Sequence, residues 1–292
     1  MRLADFLPET TKIIRNGQFS SLGTLFSHYP QQLVYTAREN DIKKIMDNPS
    51  ISCVITTPEL VPKIPQNIST ASDPDPRNAF YALQSVLVQY PEFVLQPFPN
   101  QISPSAKIHP SAVISAHSVS LGRDVVIEKN VVIGEQTIID EGSIVRSNSI
   151  IGSFPLLPRG AMNLPVIHPS GGVRLHREVD IHANNRIDRA IFKGYTEIGE
   201  QAKLDNLNAI GQGTMIGKRC LICAGVTIGE CVLVGNDTWI GPNVTLDHQI
   251  GIGNNSYITI GSKVTRDMED NKVVKDNYAI DRKRFRKVVR GM

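Results

Sequence analysis

The chain has 292 residues, enough for one large domain or two modest ones. Its 31 Lys and Arg stand against 28 Asp and Glu, a near balance that argues against a nucleic-acid or polyanion surface overall. Four cysteines are too few for a disulfide scaffold of this size.

In chain order, MRLADFLPETTKII holds no apolar run long enough for a signal peptide, and no later segment approaches a membrane span. A reducing cytoplasm is therefore expected. Residues 1–100 read as a small α/β module. LVYTA and SCVITTP have strand character, RENDIKKIMD is helical, and PDPRNAFYALQSVLVQY places Pro near a helix start ahead of apolar residues at helical spacing. QPFPNQISPS, rich in Pro and polar residues, marks the boundary.

From Ile102 the period becomes six. Aliphatic residues recur at 102, 108 and 114, then at 121, 127, 133, 139, 145 and 151. A long loop at about 152–172 interrupts them, and they resume at 175, 181 and 187. After a slip through DRAIFKGYTE, ten unbroken steps run from Ile198 to Ile258. Hexapeptide periodicity predicts a parallel β-helix over residues 101–270, followed by a basic C-terminal segment, 271–292, as a short tail or helix. Three hexads close one triangular coil, and each aliphatic side chain stacks inside the prism on those above and below. Gly follows the aliphatic residue at 199, 211, 217, 229, 235, 241 and 253, and Asp does so at 205 and 247. These types are expected there because they tolerate tight corner conformations. The period does not set the handedness.

Cys220 and Cys223 form a lone CxxC without a second pair or a nearby histidine, so no metal site is expected there. With Cys231 they fall where a small apolar residue suits the repeat. His176 and His182, six apart, belong on different faces of one prism and complete no three-histidine site.

Hexads of the form [LIV]-G-x4 resemble those of the left-handed β-helix acyltransferases, which are usually homotrimers with active sites between prisms. More specifically, DPDPRNAFYALQSVL, QLVYTAREN, VDIHANNRIDRA, KLDNLNAIG and AIDRKRFRK resemble, in order, segments of the UDP-3-O-acylglucosamine N-acyltransferases (the LpxD family). The resemblance implies a left-handed, mainly β fold and N-acyl transfer to a nucleotide-linked sugar. It implies Tyr35 as the nucleotide-binding aromatic; Asp205 and Asn206, in the best-matching region, are either sugar contacts or residues that serve the turn. It further implies Lys263, Arg266, Arg282 and Arg284 at the end that holds the 3′-phosphate of coenzyme A. Two departures stand out. The family's general-base histidine falls on Gln212, whose amide cannot accept a proton at neutral pH. The long helix that docks acyl carrier protein is cut to the basic stub DRKRFRKVVRGM, either a solvated tail or a clamp for phosphates.

The eighteen-residue coil bears on the missing base. Gln212, Glu230 and His248 are eighteen apart and share a ridge, with neighbours roughly 5 Å apart along the axis. LDHQIGIG also resembles the PglD-like sugar N-acetyltransferases, where the histidine is the base. His248 supported by Glu230 is one expectation. Another is a neutral acceptor amine that needs no base, with Gln212 as a positioner; a third is an inert trimer. The expected activity transfers an acyl group from acyl-CoA, as co-substrate and not as a resident cofactor, to the amine of a UDP- or dTDP-amino sugar in bacterial surface-polysaccharide synthesis. A lipid A enzyme using acyl carrier protein and a non-catalytic binding trimer are the alternatives.

Overall fold

The computed structural model describes residues 1–7, 10–155 and 168–274. The expected loop lies mostly outside the described residues, as do Arg282, Arg284 and the basic segment from 275 on.

The N-terminal module opens with a short helix α1 (Leu3–Phe6) and strands β1 (Lys12–Arg15), β2 (Ser21–Leu22) and β3 (Gln32–Thr36). Helix α2 (Asp41–Asp47), β4 (Ile51–Thr56), β5 (Ser69–Ser72) and helix α3 (Pro76–Leu87) follow. The sheet order is β1-β5-β4-β3-β2, parallel except for the β1–β5 pair. α3 forms where Pro76 occupies its first turn and the Asp75 carboxylate accepts the Asn78 N–H at 3.0 Å. Its buried side, Ala79, Phe80, Leu83 and Leu87, packs on β3 and β4.

The rest is a left-handed parallel β-helix of three sheets with nine, eight and eight strands. We name its faces in chain order: the first begins with Gln101–Ile102, the second with Lys107–Ile108 and the third with Val113–Ile114. Strands are two to four residues long, and the last described one is Val273–Val274. Stacking is in register, Ile210 on Ile228 and Ile228 on Leu246, so the inward aliphatics form one continuous buried column. Each such side chain gains about 1.5–3 kcal/mol from leaving water.

The expected reason for the glycines is corrected. The left-handed corner conformation falls three residues after the aliphatic, for instance at Leu207 (φ 67°), Cys231 (φ 55°) and Gln249 (φ 57°). A Cβ on Gly211 would instead stand 2.7 Å from the backbone of Gly229 in the next coil. Close approach of stacked coils, and not φ, demands glycine there.

The three insertions in the repeat all occur where the third face turns into the first. Seven residues separate Ile114 from Leu121, twenty-four separate Ile151 from Leu175, and eleven separate Ile187 from Ile198, where six would do. The last excursion inserts Ile191 and Phe192 into the core of the N-terminal module. Phe192 lies 5.0 Å from the Phe80 ring and stacks on Tyr81 at 5.8 Å. Gln84 Nε2 on α3 donates to Ile191 O and Ser170 Oγ, both at 3.0 Å. The module is thus docked along this one corner.

Candidate functional site

Two residues beyond the inward aliphatics of the third face, the corner carries Gln212, Glu230, His248 and then Arg266, one per coil. Backbone bonds hold the ladder: Cys231 N–H to Gln212 O at 2.8 Å and Gln249 N–H to Glu230 O at 2.9 Å. The ridge expected from the spacing is therefore present, but its members differ in access.

Gln212 is fully buried. Its Oε1 accepts the Ile191 N–H at 3.2 Å and its Nε2 donates to Cys231 Sγ at 3.4 Å. It pins the excursion that docks the N-terminal module and is closed to solvent within one chain.

His248 is exposed, and its Nδ1 accepts the backbone N–H of Glu230 at 3.1 Å. The backbone N–H of His248 donates to Asp247 Oδ1 at 2.8 Å. With Nδ1 occupied as an acceptor, the neutral ring carries its proton on Nε2. In this arrangement His248 turns Nε2 outward as an N–H donor. The link between Glu230 and the ring runs through the backbone and not the carboxylate.

The Glu230 side chain is largely buried, with Arg77 Nη2 of α3 at 3.7 Å. Burial pushes its carboxyl up, opposed by His248, Arg77 and Gln212, while Asp188 adds to the rise. Asp188 is itself raised by burial although Ser153 Oγ donates to it at 2.6 Å and Arg186 Nε approaches to 2.9 Å. Burial thus raises the Glu230 carboxyl above the ordinary glutamate value.

Tyr35 is taken up by the domain contact. Its hydroxyl accepts Gln249 Nε2 at 2.6 Å, its ring packs 5.1 Å from Phe80, and burial pushes its phenol up to about 12. The ring is thus held at the domain contact by Phe80, Tyr81 and Gln249. Asp205 and Asn206 lie on a different corner, between the second and third faces. Asp205 Oδ1 accepts the Asn206 N–H at 2.8 Å and Asn206 Oδ1 accepts the Ala183 N–H at 3.0 Å, so within one chain both serve the turn. Arg266 is exposed at the upper end of the ridge, and Lys263 projects beside Thr245 on the third face. His176 and His182 occupy separate corners, with Glu197 at 2.9 Å and Asp180 at 3.6 Å as partners. Among the described residues no cluster of three metal-ligating side chains forms, and no helix is long and apolar enough to cross a membrane.

Sequence reasoning missed Arg77, Asp188 and Gln249. The available signal was the slip in DRAIFKGYTE, which breaks the hexads where the two domains meet.

No family model matches the chain. Over 62 residues it is 37% identical to the UDP-3-O-acylglucosamine N-acyltransferase of Paracoccus denitrificans, covering 21% of this chain and 17% of that one. Over 69 residues it is 44% identical to the protein of that name from Oleidesulfovibrio alaskensis, covering 24% and 19%. The matched stretch is similar in sequence to the hexapeptide repeats of these UDP-3-O-acylglucosamine N-acyltransferases. The match spans less than a fifth of the length of these relatives. Among solved structures, the LpxA UDP-N-acetylglucosamine acyltransferase of Bacteroides fragilis aligns at TM-score 0.45 and 19% identity over 60% of this chain and 71% of that one. The UDP-N-acetylglucosamine acyltransferase of Campylobacter jejuni aligns at TM-score 0.45 and 15% identity over 63% and 82%.

Proposed function

We propose that this chain is an N-acyltransferase that moves an acyl group from a thioester to the amino group of a nucleotide-linked sugar. The observation that carries the reading is the placement of the largely buried Glu230 carboxylate on the ridge, with the Arg77 guanidinium at 3.7 Å and the His248 ring on the next coil. Sequence similarity of the repeat to acyltransferases named for UDP-sugar substrates supports the substrate class.

In the proposed step the neutral amine nitrogen attacks the thioester carbonyl carbon and the C–N bond forms. The carbonyl oxygen gains negative charge beside His248 Nε2–H. The surplus proton on nitrogen passes to the Glu230 carboxylate. Collapse breaks the C–S bond, and the departing thiolate takes up a proton, leaving amide and thiol. Gln212 supports this by fixing the corner and makes no contact with substrate.

The donor in this reading is a short acyl-CoA, with Lys263 and Arg266 placed to meet its phosphates. The acceptor is a UDP- or dTDP-amino sugar of bacterial surface polysaccharide, and the working form is a homotrimer. A UDP-3-O-acylglucosamine acceptor with an acyl-carrier donor is not favoured, because the fully buried Gln212 stands where the resemblance places the base.

The test follows thiol release from acetyl-CoA, longer acyl-CoAs and a hydroxyacyl-carrier donor against a panel of UDP- and dTDP-amino sugars, for wild type and Glu230→Gln. Turnover with one pair that falls at least a hundredfold in Glu230→Gln is the expected result. Turnover unaffected by Glu230→Gln removes Glu230 from the chemistry and leaves the amine without a protein base. Nucleotide-sugar binding with no turnover for any pair would make this a binding module.

A further inference from the structure

Among the described residues three buried side-chain polar atoms lack a hydrogen-bond partner: Arg77 Nε, Asn78 Oδ1 and Thr137 Oγ1. Two of them share the first turn of α3, directly beside the proposed catalytic ridge. Buried polar groups left unmet are rare and ask for a reason.

Arg77 shows what is missing. Among the described residues its only carboxylate within ion-pair range is Glu230, at 3.7 Å, which is too long for a hydrogen bond. Its Cζ sits 5.9 Å from the Tyr81 ring centroid, which fixes the guanidinium plane without using an N–H. The side chain is 40% exposed, so the outer nitrogens remain open to the ridge. Helix stability does not explain the residue either, since a cation in the first turn opposes the helix dipole. A rigid five-donor fork, short of acceptors and stacked in place, suits a planar or tetrahedral oxyanion.

We propose that Arg77 is a substrate-anchoring residue that binds the diphosphate of a nucleotide, and with it sets the specificity of the site. The inference rests on the acyl-transfer reading of the same ridge. Both substrates of that reading carry a diphosphate ester, the nucleotide sugar and coenzyme A. Arg266, two coils above Glu230 and so about 10 Å along the axis, provides a second cation for whichever ligand extends up the ridge. Anchoring at Arg77 places the remainder of the ligand against Glu230.

The experiment is calorimetric titration of UDP, dTDP, uridine and coenzyme A into wild type, Arg77→Ala, Arg77→Lys, Glu230→Gln and the Arg77→Ala/Glu230→Gln double variant, with melting curves for each. The expected result is a loss of roughly ten- to a hundredfold in affinity for one diphosphate ligand in Arg77→Ala. Arg77→Lys should be intermediate, because it keeps the charge and loses the fork. Uridine, without phosphate, should be insensitive to Arg77. Which of the nucleoside diphosphates or coenzyme A loses affinity identifies the source of the diphosphate. Equal affinities in wild type and Arg77→Ala overturn the proposal while leaving the acyl-transfer reading intact. A loss that disappears in the Glu230→Gln background also overturns it, since Arg77 would then only neutralise Glu230. No binding of any of the three diphosphates to wild type removes the nucleotide-sugar and coenzyme A reading itself.

Discussion

Glu230 sits where two influences oppose each other. Burial favours its protonated form, while the His248 imidazole and Arg77 favour the carboxylate, and burial wins. A base that must be ionised to work gives a rate that climbs with pH through its own pKa. In wild type that acidic limb should lie above the ordinary glutamate value of 4.5, and it should vanish in Glu230→Gln. The same shift bears on stability. Because the folded state holds the proton more tightly than the unfolded one, stability from this group is full below about pH 4.5 and declines as pH rises through the folded pKa. Glu230→Gln should therefore melt above wild type at pH 7, and the gap should close near pH 4. Thermal melts at the two pH values check this; a gap that widens toward pH 4 contradicts the burial argument. His248→Ala tests the donor role separately. Loss of one oxyanion donor predicts a fall of about a hundred- to a thousandfold in kcat. The acidic limb should stay where it was, because the proton acceptor is a different residue.

At the scale of elements, the stretch between Ile187 and Ile198 does most to assemble the site. Its eleven residues break the hexads, and the surplus carries Ile191 and Phe192 out of the prism into the module's core. Phe192→Ala removes a buried ring from between Phe80 and Tyr81 and should cost about 3–5 kcal/mol by denaturant titration. Gln212→Ala leaves the buried Ile191 N–H without its acceptor, at about 1–3 kcal/mol. A Gln212→Ala variant that loses stability but keeps kcat within a few-fold would separate this pinning role from chemistry. Gly211→Ala has a different cause of damage. Its Cβ would meet Gly229 backbone at 2.7 Å in a column of coils that cannot move apart singly. The variant should melt several degrees lower, although φ at Gly211 is ordinary.

Across the whole molecule, one prism corner gathers the three insertions in the repeat, the domain contact and the candidate ridge. Lys44 ties α2 to Asp267 at 2.9 Å, and Arg38 Nη2 donates to Gln249 O at 3.2 Å, so the N-terminal module spans several coils of that corner. The hexad period determined the prism, because a column of inward aliphatics has one solution at six residues per side. The eighteen-residue spacing likewise put Gln212, Glu230 and His248 on one ridge, since stacking in register leaves no freedom along the chain. In residues 1–100 local periodicity made β3, β4, α2 and α3 legible, while the short α1, β1, β2 and β5 carry too few residues to show a period. Which ridge residues can meet a ligand was not legible, because access depends on what packs against the corner. Burial of Gln212, capture of the Tyr35 ring and the arrival of Arg77 beside Glu230 all follow from docking between segments far apart in sequence. Local pattern determines which way a side chain leaves its own coil; only the tertiary contact decides whether protein or solvent waits there.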